Sequence, residues 1–133
     1  MAAVDTVQAN ALLNAILRQT ATASTTSMSV KLGSNSPSGG TDMTELPNGN
    51  GYTTGGQACS FTAAAAVSGV ATSYNSTVLT WTNSSGGWTI NGIEIWDAAS
   101  VRWMYGTWVG APISVASGNS FTVPASGIQA TLT

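Results

Sequence analysis

The side chains able to do chemistry are few, and most crowd into one stretch. In "NGIEIWDAASVRWMYGTWVG", residues 91–110, Glu94 and Asp97 stand close together and Arg102 follows. Two carboxylates facing each other across about 5–10 Å carry out glycoside hydrolysis, so this pair is the first place to look for catalysis. Asp97, however, opens the turn sequence "DAAS", where Asp is expected for its backbone hydrogen bonds. The chain has no histidine, so the commonest general base is missing, and its many Ser and Thr have no visible activating partner. The expectation is that the protein is not an enzyme.

Metal and cofactor chemistry is equally thin. Asp42, Glu45, Asn48 and Asn50 in "TDMTELPNGN" offer oxygen ligands, but their spacing does not fit an EF-hand, and a solvated turn-rich loop explains them equally well. Cys59 is the sole cysteine, which excludes an intrachain disulfide and, without histidine, a zinc site. Gly39-Gly40 and Gly55-Gly56 lack the Lys-Ser/Thr or helix start of a phosphate loop. No metal and no cofactor are expected.

What the 91–110 stretch does hold is aromatic surface, with Trp96, Trp103, Tyr105 and Trp108 in it. If 101–109 is a strand, Val101, Trp103, Tyr105, Thr107 and Val109 share one face, and Arg102, Met104, Gly106 and Trp108 share the other. Both faces are largely apolar, so one meets the core and the other meets something else. The plainest reading is a core strand with one or two partly exposed aromatics; beside it stand a second protein surface, since Trp, Tyr and Arg favour interface hot spots, and a stacking platform for glycan. Leu13, Leu17, Trp88, Trp103, Tyr105 and Trp108 are the candidate interface residues, with the neighbouring charges read as turn and rim residues.

Composition narrows the partners. Charged residues make up 6% of the chain and the net charge is −2, against about 25% charged residues in an ordinary soluble protein. Arg18, Lys31 and Arg102 are the whole cationic supply and are scattered, so no nucleic-acid partner is expected. No apolar run approaches the length of a membrane span and no signal peptide is visible, so no membrane partner is expected. A chain with so little charge has weak self-repulsion and suits an assembly.

The elements that must position these residues follow from periodicity. "DTVQANALLNAILRQT" places Leu12/Ile16 and Leu13/Leu17 at helical spacing, with Asp5 as N-cap and Gln8 completing a capping box, which predicts a helix over about 5–19. In "SMSVKLG" the period becomes two. A long Gly/Asn/Pro/Ser loop at about 33–56 then precedes strands near 57–62, 70–74, 76–82, 88–96, 101–109, 113–115, 120–123 and 127–132. Turn chemistry separates them, and "FTAAAAV" alone has a helical look. Asn91-Gly92 is read as lying within one strand, the glycine marking a bulge or close approach. This spacing indicates an antiparallel sandwich or barrel, with a helical arm at 1–22 and a single domain at 23–133.

The order of features resembles a family of small tailed-bacteriophage virion proteins labelled tail-fibre or head-decoration proteins. The helix "ANALLNAIL", the strand "SVKLGSNSPS", the turn "TELPNGNGYTTGGQACSF", "STVLTWTN", "INGIEIWDAASVRWMYGTW" and the closing "ISVASGNSFTVPASGIQATL" carry the likeness across nearly the whole chain. It departs in three places: Glu94 replaces a small residue before Ile95-Trp96-Asp97, Asn119 replaces Asp ahead of Phe121, and no Arg follows Tyr52. The resemblance implies a mainly β fold, an antiparallel β-sandwich of jelly-roll type with one N-terminal helix, and a place in the virion. The leading expectation is a capsid decoration (cement) protein on the outer head surface, binding the major capsid protein and itself as a homo-oligomer, with a trimer favoured over a dimer. The alternative is a tail-fibre or tail-tip module that recognises a host surface glycan.

Overall fold

The computed structural model describes residues 3–5, 9–10, 13, 17 and 27–132. Its strands are β1 (Ala3–Val4), β2 (Met28–Gly33), β3 (Gln57–Cys59), β4 (Ala65–Val67), β5 (Val70–Tyr74) and β6 (Leu79–Thr82), then β7 (Gly87–Ile90), β8 (Gly92–Asp97), β9 (Arg102–Thr107), β10 (Ile113–Ala116), β11 (Ser120–Val123) and β12 (Gln129–Leu132). The expectation of a mainly β, antiparallel protein is met. The helix predicted over 5–19 falls mostly outside the described residues, and the alanine run read as helical contributes strand β4 instead.

One sheet has five strands in the order β1-β9-β8-β2-β3. The pairings from β5 onward are nested: β8 pairs with β9, β7 with β10, β6 with β11 and β5 with β12, all antiparallel, and β4 pairs with the other edge of β5. The chain from β5 to β12 is therefore one ribbon doubled back on itself at the β8–β9 turn. Its inward side chains meet Val30 and Leu32 of β2 in a single cluster that includes Leu79, Trp81, Trp88, Ile90, Ile93 and Ile95. Each such buried aliphatic or aromatic side chain contributes about 1.5–3 kcal/mol relative to exposure.

The strand expected to run unbroken over 88–96 is divided at Asn91, because β7 and β8 lie in different sheets. Asn91 makes the transfer by donating its backbone N–H to Gly33 O at 2.9 Å and accepting from Trp108 N–H at 3.0 Å. The close approach expected at Gly92 is present: a Cβ there would lie 2.5 Å from Asn35 O and 2.6 Å from Pro37 Cδ.

The long loop between β2 and β3 is folded onto the outer face of the five-stranded sheet. Leu46 N–H bonds back to Leu32 O and Ser34 N–H to Thr44 O, both at 2.9 Å. Met43 of this loop is buried against that face, its N–H donating to Glu94 Oε1 at 2.8 Å, while Leu46 and Tyr52 join the core cluster on the inner side, so the central strand β8 is covered on both sides.

Candidate functional site

The centre of the molecule's polar chemistry is set by a register shift. Glu94 pairs with Tyr105 and Ile95 with Met104, but Trp96 pairs with Arg102, so Trp103 is an extra residue. Such a bulge reverses the facing of everything before it. Arg102 thereby joins Glu94, Trp96 and Tyr105 on the outer face, instead of sharing a face with Met104 as strict alternation predicts. Lys31, opposite Glu94 on β2, belongs to the same face.

Arg102 is enclosed there, and its five N–H donors are all engaged. Nε donates to Asp5 Oδ2 at 2.8 Å and Nη2 to the same oxygen and to Ser38 O; Nη1 donates to Glu94 Oε1 and to Thr41 O, both at 2.8 Å. Asp42 Oδ1 lies 3.1 Å from Nη1. The Arg102, Glu94 and Asp5 side chains are only 5%, 2% and 7% exposed. Burial works against the charged guanidinium, but its hydrogen bonds to Glu94 and Asp5 outweigh that effect and hold its pKa above the ordinary value. Glu94 and Arg102 are therefore interior groups and not the rim residues that sequence suggested; the covering loop, invisible to periodicity, is the reason.

Neither carboxylate of the Glu94/Asp97 pair is idle. Glu94 accepts from Met43 N–H at 2.8 Å, Arg102 Nη1 at 2.8 Å and Trp96 Nε1 at 2.9 Å. Asp97 accepts from Ala99 N–H, Val101 N–H and Trp103 Nε1 at 2.8, 2.9 and 2.8 Å, closing the β8–β9 turn as its sequence predicted. The Trp103 indole, ahead of the Val101 and Ala99 amides, holds the Asp97 carboxyl below its ordinary pKa despite burial.

The four oxygen-bearing residues of the long loop do not converge. Asp42 faces Arg102, and Glu45 accepts from the Tyr52 hydroxyl at 2.8 Å and pairs with Lys31. Asn48 accepts from Thr54 N–H, and Asn50 from the Ser85 hydroxyl. Tyr52 also takes a hydrogen bond from Leu32 N–H at 3.2 Å, and burial pushes its phenol pKa up.

The six candidate interface residues are dispersed. Leu13 and Leu17 are exposed, at 55% and 72%. Trp88 is a core residue, 4% exposed and edge-on to Tyr52, because the alternation of β7 turns Trp88 and Ile90 inward together. Trp108 packs edge-on against Phe121, on the core. Tyr105 lies under the Arg102 guanidinium, which is 5.0 Å from its ring centroid. Trp103 alone lines an open apolar groove, of about 260 Å³, with Met28, Ala71, Met104, Ala130 and Leu132. Trp96, left out of that set, lines a separate cleft of about 320 Å³ with Asp42 and Arg102; its position two residues from Glu94 on an extended strand was the signal.

An antiparallel ribbon with its ionisable groups locked into the fold has the character of a structural module, and comparison with known families places it among bacteriophage virion proteins. Residues 3–131 match the family described as podophage GP4 fiber I protein gp80, and the chain belongs to that family. No curated protein matches it.

Proposed function

We propose that the protein is a non-catalytic assembly module of the virion, acting by binding copies of itself and a neighbouring virion protein through uncharged sheet surface. The distribution of charge carries this reading. Residues 46–93 and 103–132, which build β3 to β7 and β10 to β12, contain no Asp, Glu, Lys or Arg. Among the described residues, Asp42 is the one charged residue that is exposed; the others are buried or half-buried. Interface centres are depleted of charge, because desolvating an ion costs several kcal/mol.

The outward side chains of β6 and β11 come to such a contact already partnered. Thr82 and Ser120 hydroxyls lie 2.8 Å apart across the strands, and Thr80 and Thr122 hydroxyls 3.3 Å. The groove beside Trp103 and the exposed Leu13 and Leu17 add apolar area, at about 25 cal/mol per Å² buried. In this reading the assembly is a homo-oligomer, a trimer before a dimer. The nested ribbon supports a jelly-roll form of β-sandwich. Filled acceptors on Glu94 and Asp97 support a role without catalysis.

The family's description speaks for a fibre, which we take as the first placement. Decoration of the outer capsid surface against the major capsid protein is the second, favoured by the uncharged sheets. Light scattering on the purified chain tests the shared claim: an oligomer is expected, dissociated by Thr82→Lys/Thr122→Lys. A monomer whose variant still enters particles normally would overturn it.

A further inference from the structure

We propose that the cleft between the Gly40–Asp42 turn and the β8–β9 hairpin is a binding site for one neutral sugar ring, stacked on Trp96 and hydrogen-bonded to Asp42. The site rests on its own geometry and serves a fibre or a shell protein alike.

Trp96 is fixed before any ligand arrives. Its Nε1–H donates to Glu94 Oε2 at 2.9 Å, and Lys31 Nζ stands 4.0 Å from the centroid of its ring. Lys31 is itself held by Glu45, 3.6 Å away. The indole also forms a wall of the cleft, of about 320 Å³, together with Gly40, Asp42, Ser100, Val101 and Arg102. A volume of that size is at the lower end for small-molecule sites and suits a single ring. Held at its edge and capped by a cation, the indole offers a stacking surface whose side-chain entropy is already spent, which lowers the cost of binding.

The polar half of the cleft is equally pre-set. Asp42 has a side chain 60% exposed and forms an ion pair with Arg102, 3.1 Å from Nη1. A carboxylate so oriented accepts hydrogen bonds from adjacent hydroxyls. Val101 is half-buried and Ser100 exposed on the opposite wall, so apolar and polar surface alternate as they do on a pyranose, with its C–H face and hydroxyl rim. Arg102 is no recruiting group for anions, since its donors are all engaged. With Asp5, Asp42 and Glu94 gathered around this one guanidinium, the local field is negative and disfavours phosphate or uronate. Among the described residues no three acidic, His or Cys side chains come together to hold a metal ion.

The test is a titration of the ¹⁵N-labelled full chain with neutral methyl glycosides, methyl glucuronide and tetramethylammonium, followed at the Trp96 indole N–H, assigned by its loss in Trp96→Phe. The expected result is a saturable shift with at least one neutral glycoside and none with glucuronide or tetramethylammonium. Asp42→Ala, at an exposed position, is expected to weaken that binding about tenfold while leaving the rest of the spectrum in place. Silence with every neutral glycoside, equal binding by Asp42→Ala, or a response only to tetramethylammonium would each overturn the proposal.

Discussion

Arg102 and Asp5, 97 residues apart in sequence, meet with Nε 2.8 Å from Oδ2 on the outer face of the five-stranded sheet. The same guanidinium holds Glu94 and the backbone of the covering loop at Ser38 and Thr41. A single side chain therefore ties together the N-terminal strand, the ribbon's central turn and the loop that closes the face.

Breaking this cluster from one side leaves buried carboxylates without a counter-charge. Arg102→Ala is expected to cost about 3–5 kcal/mol, read from urea denaturation. Arg102→Ala/Glu94→Ala is expected to cost less than the sum of its single variants, since the second change removes an uncompensated charge.

The Asp97 turn carries a pH signature. Its carboxyl is held below the ordinary value of 3.8, chiefly by Trp103. The stabilisation is therefore full above the unfolded pKa and is lost as pH falls through the lower folded value. Thermal melts of Asp97→Asn against the parent should converge as pH drops below about 4 and separate above it.

Tyr52 behaves in the opposite range. With its phenol pKa raised by burial from the ordinary 10.0, the folded protein keeps the proton that the unfolded chain releases. Stability is expected to decline as pH rises above about 10, and Tyr52→Phe should lose that dependence. Tyr52→Phe also strands the buried Leu32 N–H, at a cost of about 1–3 kcal/mol at neutral pH.

Two glycines separate steric clash from backbone strain. Gly51 has φ +89° and a Cβ there would stand 1.8 Å from Thr82 O, whereas Gly55 has φ +100° and an unobstructed Cβ position. Gly55→Ala is expected to cost about 1–2 kcal/mol from the left-handed backbone alone, and Gly51→Ala clearly more, both measured by chemical denaturation.

Most of the strands were legible from period and turn chemistry, as β10 and β11 show, because alternation and Gly/Asn/Ser turns are local signals. Three features were not. The bulge at Trp103 reverses the facing of Arg102, and a count by twos cannot show an inserted residue. The loop over Glu94 buries a charge whose neighbours in sequence give no sign of cover. Trp88 alternates as expected, but alternation does not say which side is the core. Trp96 was in plain view yet stood out less than the denser aromatics of β9, since its cleft is built by residues 40–42 from another part of the chain.

A structural role in the virion is decided by the copy number of the protein in purified particles, measured by quantitative mass spectrometry against the major capsid protein. Presence in the particle is expected, with copies far below those of the major capsid protein for a fibre; copies rivalling it would move the protein to the shell. Absence from the particle would contradict a structural role in the virion.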